Sequence, residues 1–465
     1  MSGQISHHLS PAPTPPAGLV TLEELGNLVQ DREVDTVMVA VPDLRGRLMG
    51  KNLDAHHFLT KLPAGPEMCA YVLATDVDMN PLDGFELAGW HTGYGDLRVV
   101  PDLGTIRRLN YLPGAVLVHG NAVHPDGRPV AVAPREILRS QLRALAVHGL
   151  QARVGIESEF VLYKGTEAQL RRSGFRNPTP VSPDNLDYAL DRPPSLNAFF
   201  HDLHNALHEA GAPIEAIKTE GAPGQIEVTW PYGHPVGACD TYTLHKHAVR
   251  HITAQHRLTP TFMAAPQTGT GSGLHLHLSL WRDDEAAFAM RPRDELPELL
   301  QHSIAGLIDA LPHLVPLYAP TPNSYKRYVR HSFAPTNYTW GRDNRTCAIR
   351  ITGHRASTHL EVRLPGADAN AYLALAATIA AIVHGLNNHP KLPEPCTGDA
   401  YHAADPLPVP RNLEEALADF QQSGIALHAF STHVVQHYAR AAEVEIEAQH
   451  GQVTDIDRKR GFLRA

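Results

Sequence analysis

The chain changes its patterning as it runs. After a Pro-rich start, SPAPTPPAG at Ser10 to Gly18, Thr21 and Glu24 stand three apart at the head of an apolar-periodic run. That spacing is a capping box and predicts a first helix. β-Branched residues from Asp35 to Val41 predict a strand, and the polar turn at Asp43 to Gly46 leads into another. The pattern stays rich in strands and loops to about Asp126. HPDGRPV at His124 to Val130 is a turn signal and marks a domain boundary. Pro134 then opens a helix in which Ile137, Leu138, Leu142 and Leu145 recur at helical spacing, with Gly149 to end it. Strands and helices alternate beyond it. Helices are predicted over 197–210, 299–311 and 371–386, the last apolar enough to be buried, and two more between 413 and 449. The sum is an α+β chain: a disordered Pro-rich tail over 1–20, a small domain over 21–128 and a large one over 129–465.

Four segments share one design. In VGIESEFVLY, Glu157 and Glu159 take one face of a strand, opposite Ile156 and Phe160. In GQIEVTW, Glu227 sides with Gln225 and Thr229. In GLHLHLSLW, His275, His277, Ser279 and Trp281 oppose four leucines. In HLEVRL, Glu361 and Arg363 oppose Leu360, Val362 and Leu364. Period-2 alternation aims each polar set one way. One such strand reads as an ordinary half-solvated antiparallel strand, but four that all offer Glu or His point to a shared site. Glu157 and Glu159 repel each other unless a cation lies between them, and carboxylates with one or two His suit a hard divalent ion such as Mg²⁺ or Mn²⁺. Glu220, seven residues before Glu227 across a Gly/Pro turn, can join them. GTGSG at Gly269 to Gly273 permits close backbone approach but is neither a P-loop nor a dinucleotide fingerprint. Arg327, Arg342, Arg345, Arg350 and Arg363 supply guanidinium forks for carboxylate or phosphate oxygens.

Composition removes several classes. The 465 residues carry 40 basic and 49 acidic side chains, a net charge of −9, which gives no support to a nucleic-acid surface. The longest apolar run, Ala371 to Val383, is broken by Thr378 and falls short of the roughly 20 residues a membrane span needs. No basic start followed by an apolar core suggests a secretory signal. Four scattered cysteines without a CxxC pair exclude a disulfide framework and a thiolate zinc site, and suit a cytoplasmic protein. The 30 histidines look richer than they are. His201, His204 and His208, and the pair His247 and His251, have helical spacing but lack the Glu of HExxH, and read as ordinary helix residues.

Taken in order, ESE at Glu157 to Glu159, GQIE at Gly224 to Glu227, GSGLHLHLSL at Gly271 to Leu280, NSYKR at Asn323 to Arg327, DNRTCAIRI at Asp343 to Ile351 and LEVRLPGADANAY at Leu360 to Tyr372 resemble the glutamine synthetase family. The resemblance runs from about Asp35 to the C-terminus. It implies an N-terminal β-grasp domain, a catalytic domain holding an open antiparallel β-barrel flanked by helices, and a homo-oligomer, a dodecamer of two stacked hexamers with sites between ring neighbours. It implies one metal on Glu159, Glu220 and Glu227 and a second on Glu157, His275 and Glu361. Arg327, Arg363 and the backbone at Gly271 match glutamate-binding positions. Arg345 and Arg350 match phosphate-handling positions, and His277 and Ser279 nucleotide-side positions. Arg327, Arg345 and Glu220 are the groups expected to act on the reacting atoms. The implied chemistry joins the γ-carboxylate of L-glutamate to an amine through a γ-glutamyl phosphate made from ATP. Cations and arginines are needed because two anionic groups must meet.

The chain departs from the family's ammonium-using members in three places. Their YEAP flap reads HSFAP here, placing Phe333 where they carry Glu. Their DGSS ammonium motif has no match, the region reading YVLATDVDMN from Tyr71 to Asn80. An Asn of their glutamate site is Thr270. The first two changes remove groups that would hold NH₄⁺, and an apolar Phe333 suits an amine with a carbon body. The expectation is a γ-glutamyl-amine ligase acting on a small monoamine such as ethanolamine. A γ-glutamylpolyamine synthetase is the alternative, since Asp76, Asp78 or Asp83 can meet a distal ammonium. A true glutamine synthetase and a non-catalytic structural or regulatory relative stand behind these, the latter opposed by the intact five Glu and His275. An unrelated His/Glu hydrolase is opposed by the arginines of DNRTCAIRI. Tyr401 aligns loosely with a tyrosine that some relatives adenylylate, in a segment, GDAYHA, that differs from theirs.

Overall fold

The computed structural model describes residues 18–62, 65–291 and 294–464. Most of the Pro-rich tail lies outside the described residues. Val20 already donates its N–H to the Ile106 carbonyl at 3.0 Å. The helix Leu22–Gln30 follows, with Thr21 and Glu24 forming the expected capping box.

A six-stranded mixed sheet occupies residues 36–123. Its hairpin pairs Thr36–Pro42 with Leu48–Asp54, the helix Ala55–Lys61 follows, and Ala115–Val123 returns parallel to the first strand. This is a β-grasp plan. The branched apolar residues Val37, Val39, Val116 and Val118 close a local core with Leu25, Val29 and Phe58.

The second sheet has nine strands over residues 151–362, and it is open, because its end strands Trp340–Arg342 and Ala216–Thr219 do not pair. Every pairing is antiparallel except that of Trp340–Arg342 with Ile349–Thr352. Together they make the barrel-like, helix-flanked sheet that the resemblance implied. Gln151–Lys164 is its axis, flanked by Leu274–Arg282 and Gln225–Thr229. Leu274, Leu276, Leu278 and Leu280 are all fully buried on one face, which fixes the opposite face as the one carrying the histidines.

Helices back the sheet. Pro134–Ala146 starts at Pro134 as the sequence predicts. Pro194–Glu209, Glu298–Ala310 and Ala371–Asn388 match the expected helices to within a few residues. Ala371–Asn388 is long and apolar enough to cross a membrane, yet it is largely buried and packs against Pro134–Ala146 and Glu298–Ala310. The C-terminal pair is Leu413–Gln422 and Gly424–His450, the second broken at Ser431, whose φ is 70°. A further helix, Pro235–Gln255, has no single apolar stripe, being buried on several sides.

Candidate active site

Strand register assembles the site. Glu157 lies opposite His275 on one neighbour and Thr229 on the other, while Glu159 lies opposite Glu227. Glu227 in turn faces Lys218, His277 faces Glu361, and Glu361 faces Arg350. Directly opposed residues share a face and touch, so pairing alone gathers the ionisable side chains of six strands. The centre of this face is closed to solvent, while Glu157, His277, Lys218 and Glu220 are only partly buried at its edges. Glu159 and Glu227 are each 8 % exposed, His275 4 % and Glu361 1 %.

Three ligand groups result, each with donor atoms within 4.8 Å of one another: Glu159, Glu220 and Glu227; Glu157, His277 and Glu361; and Glu157, Glu159 and His275. The first is the set expected for one metal. For the second, His275 Nδ1 lies 2.7 Å from Glu157 and 3.6 Å from Glu361. His277, expected on the nucleotide side, reaches the same carboxylates, with Nε2 3.2 Å from Glu157. Oxygen-rich groups with at most one imidazole fit hard divalent cations. The electrostatics fit as well. Burial, reinforced by the neighbouring Glu157 and Glu159, pushes the Glu227 carboxyl up to about 10, against the pull of Lys218. Carboxylates gathered this closely, two of them buried, fit a cation among them.

Other side chains fix these ligands. Gln225 donates through Nε2 to Glu159 at 2.8 Å and to the Gly271 carbonyl at 2.9 Å, and the Gly273 N–H donates to the same Glu159 oxygen at 2.8 Å. A Cβ on Gly273 would stand 2.7 Å from both His275 Nε2 and Arg327 Nη2, so any side chain there displaces one or both of them. Glu361 accepts from Arg350 Nη1 at 2.9 Å and from Arg363 Nη1. Burial disfavours its charge, but Arg363 and the two histidines prevail and hold its carboxyl down to about 2.

Arg327 is buried and donates to the Leu364 carbonyl at 3.1 Å and the Arg363 carbonyl at 3.2 Å, beside Gly271. Arg363 also donates to the Phe333 carbonyl at 3.3 Å, while its buried Nε has no partner among the described residues. An unpaired guanidinium N–H at that depth fits an incoming carboxylate. Phe333 itself is 62 % exposed and left-handed, with φ 58°.

A cavity of about 580 Å³ adjoins the carboxylates. His277, Ser279 and Arg350 line it, three of the four positions expected on the nucleotide side. The fourth, Arg345, is exposed on the turn before Ile349–Thr352 and is not among the described residues lining it. Sequence reading put Trp281 on this face without giving it a role, and missed Tyr232. Tyr232 and Trp281 stack with centroids 6.4 Å apart at 16°, and Arg153 lies 3.9 Å over Trp281. It also missed His359, whose Nε2 is 3.0 Å from His277 Nδ1. Lys218, too, went unremarked: its Nζ pairs with Glu220 and lies 3.5 Å from Glu227. The period-2 pattern marks Trp281 and His359 as face residues, whereas nothing local signals Tyr232. Tyr401 is buried, donating to the Ala334 carbonyl at 3.1 Å.

Comparison with known proteins gives the family. The family described as glutamine synthetase, catalytic domain, matches residues 131–460. The γ-glutamylethanolamide synthetase of Streptomyces coelicolor is 41 % identical over 452 residues, covering 97 % of each chain. The γ-glutamylputrescine synthetase of Escherichia coli is 33 % identical, over 83 % of this chain and 82 % of its own. A solved structure of GmaS without ligand superposes with a TM-score of 0.82 at 24 % identity, over 95 % of this chain and all of that one, which supports the fold. The chain belongs to the glutamine synthetase family.

Proposed function

We propose that the protein is an ATP-dependent ligase that joins the γ-carboxylate of L-glutamate to a small primary monoamine, ethanolamine foremost, through γ-glutamyl phosphate. The carrying observation is the meeting, on one sheet face, of a three-carboxylate centre and a carboxylate–histidine centre with the guanidiniums of Arg327, Arg350 and Arg363, beside a cavity able to hold a nucleotide. The strong likeness to a γ-glutamylethanolamide synthetase over nearly the whole chain supports the choice of amine.

In this reading Glu159, Glu220 and Glu227 hold one divalent cation, and Glu157, His275 and Glu361 the other, with His277 at its edge. Mg²⁺ or Mn²⁺ bound there supplies charge neutralisation between the two anionic reactants. Arg363, through its unpaired Nε, and Arg327 hold the glutamate carboxylates against the Gly271 backbone. Arg350 and the exposed Arg345 turn meet the phosphates. Tyr232 and Trp281 wall the base end of the cavity, with Ser279 and His277 along its side. The γ-carboxylate attacks the γ-phosphoryl group and ADP leaves; the amine then displaces phosphate, losing a proton. Phe333, tied through its carbonyl to Arg363, sets an apolar edge beside the glutamate site. That edge favours an alkyl amine over ammonium.

We also place the protein in the cytoplasm, where its four free thiols remain reduced, and assign it the stacked double hexamer of its family. Phosphate release in the presence of ATP, Mg²⁺ and glutamate, compared for ethanolamine, putrescine and ammonium, tests the reading. Ethanolamine should give the highest kcat/KM. Equal or greater turnover with ammonium would refute the amine assignment, and no release with any of them would refute the ligase.

A further inference from the structure

Lys218 is not in the ligand set, yet its ammonium lies against two of that set's three carboxylates. It sits on Ala216–Thr219 directly opposite Glu227, and two residues before Glu220 on the same face. Its ammonium pairs with Glu220 and is 3.5 Å from Glu227 Oε2, so it contacts two of the three carboxylates of the Glu159–Glu220–Glu227 group. A divalent ion bonded to those oxygens at about 2.0–2.2 Å must enter the space the ammonium fills. Two cations that close in a half-buried setting repel strongly.

A counter-charge outside the ligand set is already in reach. Lys218 Nζ also donates to Asp187 Oδ1 at 3.4 Å, and the Tyr188 ring centroid is 4.5 Å away. Neither residue belongs to the ligand set, and together they offer a carboxylate and an aromatic face to an alkylammonium. The loop bearing them is anchored to the lysine's own strand, since Thr219 Oγ1 donates to the Leu186 carbonyl at 2.6 Å. The lysine can therefore leave Glu220 and Glu227 without leaving its counter-charge.

We propose that Lys218 is a built-in counter-ion that competes with the divalent cation for Glu220 and Glu227, and that metal entry at this centre moves its ammonium onto Asp187 and Tyr188. This rests on the metal reading of the Glu159–Glu220–Glu227 group given above. The lysine holds the metal-free cluster together and lowers metal affinity at this centre alone, acting as a positioning residue.

Mn²⁺ titration of the metal-free protein by calorimetry tests it, with K218M and K218R beside the wild type. Wild type should bind Mn²⁺. K218M should bind one of its ions at least about tenfold more tightly, and K218R, which keeps the charge, should not. Unchanged or weaker binding by K218M overturns the proposal while leaving the metal reading intact. Failure of the wild type to bind Mn²⁺ overturns both. If K218M does not fold, reductive methylation of wild-type Lys218 by formaldehyde and borohydride, followed by peptide mass spectrometry, serves instead. The rate should rise when Mn²⁺ is added, because the displaced ammonium is more open to solvent; a rate that falls or stays the same refutes the displacement.

Discussion

Replacing Glu361 by Gln removes the charge on which the arginines and the second metal centre converge. The side chain is 1 % exposed and bridges Arg350 and Arg363, with His275 Nδ1 3.6 Å away. Its carboxyl is held at about 2 against an ordinary 4.5, so the folded protein prefers the carboxylate by about 3 kcal/mol. The sign is that of a depressed acid: the stabilisation is complete above about pH 4.5 and is lost as pH falls toward 2. At neutral pH, E361Q forfeits it and leaves the buried Arg363 without its carboxylate, while Arg350 keeps only Asp343. Breaking a buried pair in this way costs about 3–5 kcal/mol. The amide oxygen still accepts one hydrogen bond, which puts the expectation near the lower figure. Urea denaturation at neutral pH and fixed protein concentration measures this loss. Phosphate release measures the catalytic effect, expected to be a fall of about 10²–10³ in kcat/KM, the scale for removing one preorganised electrostatic group. A variant within about tenfold of wild-type activity and within about 1 kcal/mol of its stability would refute this role for Glu361.

Three further outcomes follow from the same geometry. G273A forces a methyl against His275 and Arg327, and should raise KM for glutamate and lower kcat/KM about 100-fold with the fold retained, as read by steady-state kinetics and circular dichroism. F333E restores an anionic group at the flap, and should shift the ratio of kcat/KM for ammonium over ethanolamine upward by at least about tenfold in a competition assay. His245 is fully buried, both ring nitrogens lack partners among the described residues, and burial, with Lys246 adding to it, pushes its ring down to about 3 from 6.5. Below about pH 6.5 the unfolded chain therefore takes up a proton that the folded one refuses, and stability declines as pH falls. At about pH 5 this amounts to about 2 kcal/mol, so H245F should lose about that much less than wild type between about pH 7.5 and pH 5 in urea titrations.

What the sequence made legible was the face of each strand. Alternation placed Glu157, Glu159, Glu227, His275, His277 and Glu361 on polar faces, and family motifs joined them. Alternation does not say which strand lies beside which, and neighbours make the chemistry. Lys218 became part of the site only once it was seen opposite Glu227. Gln225 shared a face with Glu227 in the sequence, but its bond to Glu159 depends on the same pairing. Tyr232 lies beyond its strand and meets Trp281 only through the tertiary fold. The helix Pro235–Gln255 was hard to see because, buried on several sides, it has no contrasting stripe. Phe333 was identified by its place in a motif, whereas its left-handed backbone and its carbonyl link to Arg363 needed coordinates.

The most direct test of the central claim follows an oxygen atom. Glutamate labelled with ¹⁸O in its γ-carboxylate is incubated with enzyme, ATP, Mg²⁺ and ethanolamine, and the released phosphate is examined by mass spectrometry. Attack of that carboxylate on the γ-phosphoryl group, followed by displacement by the amine, transfers one labelled oxygen to each phosphate, with γ-glutamylethanolamide as the other product. Phosphate released without label, or released equally well when glutamate is omitted, would contradict the account.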